Sequence, residues 1–125
     1  MWKLISTEKY ERRKKRFTKK KDEIEVLKAL LANLKSLENI LNYGKRINEI
    51  KFGWLHKETR GILAITEKGG HQEIKLSKIK AGRLYIYPDE EKKILYLLTI
   101  GDKNSQENDI KECVSLLNKL GKKNG

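Results

Sequence analysis

A chain of 125 residues has room for one hydrophobic core, which excludes a multidomain enzyme. Its formal net charge of +12 favours polyanionic partners, nucleic acid foremost, and its single cysteine, Cys113, excludes both an internal disulfide and a thiolate zinc site. No apolar stretch has signal-peptide or membrane-spanning length and no basic helix has a large inserting apolar face, so a cytoplasmic protein without a membrane partner is expected.

Residues 2–6 are short, partly alternating and β-capable, and Thr7 behind them is a good helix N-cap, which predicts a first strand followed by a helix. From Glu8 the apolar residues Tyr10, Phe17, Ile24 and Leu31 recur every seven positions, joined by Leu27, Leu30, Leu34, Leu37 and Leu41. This run is long for one helix in a small domain. The polar stretch Lys19-Lys20-Lys21-Asp22 predicts a helical hairpin that breaks near Asp22, with Asp22 as second N-cap and Gly44 as the final stop. Among the first 21 residues ten lysines and arginines stand against Glu8 and Glu11. Such a run is often only a solvated face, but ten like charges repel unless a partner neutralises them, so Arg12, Arg13, Arg16, Lys19 and Lys20 are candidate RNA-binding residues.

Residues 51–56 and 61–66 are apolar-rich and separated by Lys57-Glu58-Thr59-Arg60, which predicts a hairpin. A loop follows at Lys68-Gly69-Gly70, and residues 72–79 alternate weakly enough to be either an edge strand or a loop. The next two segments are clearer. Arg83, Tyr85 and Tyr87 alternate with Leu84 and Ile86 up to Pro88, and residues 93–100 are apolar on both faces, so an antiparallel hairpin through Asp89-Glu90-Glu91-Lys92 should supply a central strand. After Gly101 the period changes to that of a helix with Asn104 as N-cap, Glu107 three residues on, and Ile110, Val114, Leu117 and Leu120 as its apolar stripe. The chain reads as a single domain over residues 1–120 with a disordered tail at 121–125. Its class is α+β, with a small twisted, mainly antiparallel sheet, an N-terminal helical hairpin and a C-terminal helix.

Familiar catalytic constellations are missing. His56 and His71 lie fifteen residues apart in different segments, which gives no metal-ligand spacing, and no metallohydrolase, P-loop or dinucleotide motif is present. No cofactor and no metal are expected. Cations near the predicted sheet, Lys75, Lys78, Arg83 and Lys103, are the chemical alternative. Metal-free RNA cleavage needs a group to accept the 2′-hydroxyl proton, cations to stabilise the phosphorane, and neutralisation of the departing 5′-oxygen, of which arginine and lysine can supply the last two.

The residues from Gly82 through the hairpin, the strand KILYLLTIGDK and the following SQENDI resemble the C-terminal half of the RelE/ParE toxin superfamily, especially its HigB-like members. The resemblance is most specific over about forty residues and rests on order and spacing. It implies a toxin of a type II toxin-antitoxin system that cuts mRNA on the ribosome, with the ribosome, mRNA and a cognate antitoxin as partners. By the same likeness Arg83 would bind the scissile phosphate, Lys103 would stabilise the leaving group, Lys75 would be an active-site lysine, and Asp109 would act as the base or orient it. Two departures stand out: Glu73 occupies the place of a second family lysine, and the tyrosine of the family's C-terminal segment is replaced near Asp109. The alternatives are a ParE-like gyrase inhibitor without catalysis and a basic RNA- or DNA-binding module.

Overall fold

The computed structural model describes residues 1–68 and 81–121. Strand β5 (Ile94–Asp102) is apolar on both faces, and the rest of the chain is layered around it. Leu95, Leu97 and Ile100 face one side, where they meet Leu84 and Ile86 of β4 (Gly82–Asp89), Leu63 and Ile65 of β3 (Leu63–Thr66), and the stripe Val26, Leu30, Leu34, Leu37 of α2 (Lys21–Asn42). On the other side Tyr96 and Leu98 pack with Tyr85, Ala64 and Ile62 against Cys113 and Leu117 of α3 (Gln106–Lys119). A sheet with two apolar faces thus takes a helix on each.

The sheet order is β1-β5-β4-β3-β2, where β1 is Lys3–Ser6 and β2 is Leu55–Lys57. The β2–β3, β3–β4 and β4–β5 pairs are antiparallel, so both predicted hairpins form and β5 is a central strand. Strand β1 pairs with β5 in parallel, an arrangement that needs a long crossover and here uses almost the whole chain. A register shift between Tyr85 and Ile86 pairs them with Thr99 and Leu97, leaving Leu98 as the extra residue. This bulge keeps Leu98 and Thr99 on the α3 side and returns Ile100 to the α2 side.

Helix α1 (Glu8–Arg16) starts where Thr7 caps it: the Tyr10 amide donates to Thr7 Oγ1 at 3.0 Å, and that hydroxyl donates to the Leu98 carbonyl at 2.7 Å. One threonine therefore both opens the helix and ties it to β5. The chain breaks after Arg16 and resumes at Lys21, close to the predicted point, but the N-cap is Lys20 without a side-chain cap bond rather than Asp22. Asp22 instead falls in the first turn with Glu23, where carboxylates oppose the positive end of the helix dipole. Gly44, at φ +102°, follows the end of α2 as its sequence position predicts. The C-terminal helix also starts differently. Asp102, not Asn104, caps a 3-10 turn at Lys103–Ser105, accepting from the Ser105 amide at 3.0 Å, and α3 follows directly.

The loop at Gly69-Gly70, the weak segment at 72–79 and the tail beyond Gly121 lie outside the described residues. No described helix is long and apolar enough to cross a membrane.

Candidate nucleic-acid interface

Arg83 is the second residue of β4 and pairs with Thr66 on one side and Gly101 on the other. It shares a face with Tyr85 and Tyr87, opposite Leu84 and Ile86, as alternation predicts. The side chain is half-buried, and its Nε has no hydrogen-bond partner among the described residues. Lys103 is exposed and follows β5 at the same end of the sheet. Its amide donates to the Ala81 carbonyl at 3.2 Å, two positions before Arg83. The hairpin register thus brings Arg83 and Lys103 to one end of two adjacent central strands. Lys75, with His71 and Glu73, lies outside the described residues.

Asp109 has a different environment. It is 1% exposed on the first turns of α3, and each carboxylate oxygen is already engaged. Oδ1 accepts from Arg13 Nη1 at 2.8 Å and Oδ2 from the Ser105 hydroxyl at 2.6 Å. The group lies so close over β5 that a Cβ on Gly101 would stand 1.8 Å from Oδ2, so only glycine fits there. Arg13 also donates to the Ile100 carbonyl at 3.2 Å and reaches Glu112, which Lys9 pairs as well.

The expected RNA-binding set therefore divides. Arg12, Arg16, Lys19 and Lys20 are exposed around the α1–α2 turn, whereas Arg13 turns inward and is consumed by Asp109. The signal for this is present in the sequence: Arg13 is three residues after Tyr10 and four before Phe17, on the stripe that faces the core. A cleft of about 640 Å³ separates the turn from the end of β5, with Arg16 and Lys20 on one wall and Gly101 and Ser105 on the other. Asp22, Glu23 and Asp102 also line it, so its charge is mixed.

Two buried hydroxyls extend the polar face. Tyr85 Oη and Thr99 Oγ1, on directly opposed residues, have no partner among the described residues. Burial, then the negative charge of Asp109, pushes the Tyr85 phenol well above its usual value, so it stays protonated at neutral pH. Burial and the carboxylates of Asp109 and Glu112 likewise push the Cys113 thiol up to about 12, which removes it as a nucleophile. His56, exposed on β2 opposite Ala64, looks out on the same face as Tyr85. Among the described residues no cluster of three histidine, cysteine or carboxylate side chains could hold a metal ion.

Neither a protein-family model nor a curated protein sequence matches the chain.

Proposed function

We propose that this chain is a RelE-like toxin, a ribosome-dependent endoribonuclease that cuts mRNA without a metal. The observation that carries the reading is the convergence of Arg83 and Lys103 at one end of the central strands, beside a turn whose exposed Arg12, Arg16, Lys19 and Lys20 suit ribosomal RNA. In the reaction the 2′-oxygen attacks the neighbouring phosphorus, the P–O5′ bond breaks, and a 2′,3′-cyclic phosphate and a 5′-hydroxyl form. Arg83 stabilises the phosphorane through the planar donor array of a guanidinium, and Lys103 stabilises the departing oxygen. Since both oxygens of Asp109 are occupied, the proton acceptor is another group. His56 is the one histidine among the described residues and lies on the Arg83 face, which makes it the candidate. An acidic antitoxin would cover the exposed cations.

A binding-only reading draws support from that same occupied carboxylate: a ParE-like gyrase inhibitor would need no active-site cations, and a plain nucleic-acid module would use the basic helices alone. One experiment separates the two. Arg83→Ala should lower cleavage of ribosome-bound mRNA by roughly 10²-fold or more while RNA binding persists. Growth inhibition that survives this substitution, with no mRNA cut by the parent protein, would favour the binding-only reading.

A further inference from the structure

We infer that Asp109 is a positioning residue that locks helix α1 and the Lys103 turn into one rigid unit. The catalytic consequence rests on the ribonuclease reading above; the mechanical one does not. Three elements meet at this carboxylate. Arg13 comes from α1 and also holds the last carbonyl of β5's apolar run, Ile100 O. Ser105 closes the 3-10 turn, and besides donating to Asp109 it is bonded reciprocally to Asp102: its amide donates to Asp102 Oδ1 at 3.0 Å and the Asp102 amide donates to its Oγ at 3.2 Å. Lys103 lies between those two residues, with its amide fixed to the carbonyl of Ala81, the residue just before the strand that carries Arg83. The carboxylate thus sets where Lys103 stands relative to Arg83.

The surroundings favour positioning over the role of base. A general base must come within hydrogen-bond reach of the hydroxyl it deprotonates, and a group 1% exposed under α3, with Arg13 and Ser105 on its two oxygens, offers no such approach. Gly101 points the same way. A side chain there would displace the carboxylate and crowd the Ser105 hydroxyl, which a Cβ would approach to 2.8 Å. Displacing a catalytic group by about 1 Å is enough to cost up to roughly 10²-fold in rate.

The test uses Ser105→Ala, which removes one arm of the lock and leaves the Arg13 pair, alongside Asp109→Asn, which keeps the shape. Ser105→Ala should speed hydrogen exchange at the Lys103 amide and lower kcat about tenfold with KM for programmed ribosomes unchanged, because only transition-state positioning is lost. Asp109→Asn, whose carboxamide can still accept from Arg13 and donate to Ser105, should cleave at a reduced rate with the acid limb of its pH profile in place. If Asp109→Asn cleaves at a residual rate that no longer shows the acid limb, Asp109 is the base and the inference falls. If exchange at Lys103 is unchanged in Ser105→Ala, the lock does not hold the turn and the inference also falls. A parent protein that cuts no mRNA would overturn the ribonuclease reading alone, since the exchange arm would still decide the mechanical role.

Discussion

Arg12 and Arg13 are neighbours with opposite fates, and their substitution should separate binding from folding. Arg12 is exposed, so Arg12→Ala should alter stability by less than about 0.5 kcal/mol. Arg13→Ala leaves the Asp109 carboxylate buried beside an unfilled space, and breaking such a pair costs about 3 kcal/mol, visible as a lower urea midpoint. Equal midpoints for the two variants would mean the pair adds nothing. Two other buried groups join Tyr85 in shaping the alkaline pH behaviour. Burial raises the Cys113 thiol from 9.0 to about 12 and, with help from Glu11, the Tyr10 phenol from 10.0 to about 12. Both prefer their neutral form when folded, so their contribution is whole below the unfolded values and is lost as pH rises towards 12. Stability should therefore fall from about pH 9 upward, each group adding at most about 1.4 kcal/mol per pH unit to the slope. Cys113→Ala should flatten the part of that decline that begins near pH 9; an unchanged profile would show that the thiol titrates normally.

At the scale of elements, the hairpin β4–β5 and helices α1, α2 and α3 were legible because their apolar periods are unambiguous: alternation through Arg83, Tyr85 and Tyr87, and helical spacing through Leu30, Leu34, Leu37 and Leu41. The starts of α2 and α3 were not. Asp22 and Asn104 are both good caps locally, but Asp102 and Ser105 close a reciprocal cap of their own three residues apart, and Ser105 donates in addition to Asp109 four residues on. Two capping residues thus compete two positions apart, and single-residue propensity does not rank them because the reciprocal Asp102–Ser105 pair acts as a unit. Nor does any sequence pattern mark how close α2 comes to β4. At Gly82 an added Cβ would stand 2.4 Å from Val26 Cγ1 and 3.2 Å from Leu30 Cδ1, so the helix lies almost on the strand backbone. Gly82→Ala should cost about 1–3 kcal/mol through overpacking. Val26→Ala removes the obstructing methyls, so the double variant should be less destabilised than the two single effects added, and simple additivity would show that strand and helix yield independently.

For the molecule as a whole, the net charge of +12 does not by itself say where a polyanion lies, because a general field and a local patch both attract RNA. The structure separates the two. Arg12, Arg16, Lys19 and Lys20 are exposed around one turn, and no ion pair to them is found among the described residues. Lys28 and Lys35 on α2 are about as exposed, but each has a glutamate one turn away, Glu25 and Glu38, which offsets its charge locally. Counterion release depends on how many phosphates are neutralised, roughly 0.7 in the logarithmic salt slope for each contact with single-stranded RNA. Replacing the four turn cations by alanine should therefore flatten the slope by up to about 3, while alanine at Lys28 and Lys35 should leave it nearly unchanged. Arg13 stays in place throughout, so the fold is kept and the urea midpoint serves as the control. If both sets of substitutions flatten the slope in proportion to the charge they remove, RNA responds to the overall field, and the α1–α2 turn is not its docking surface.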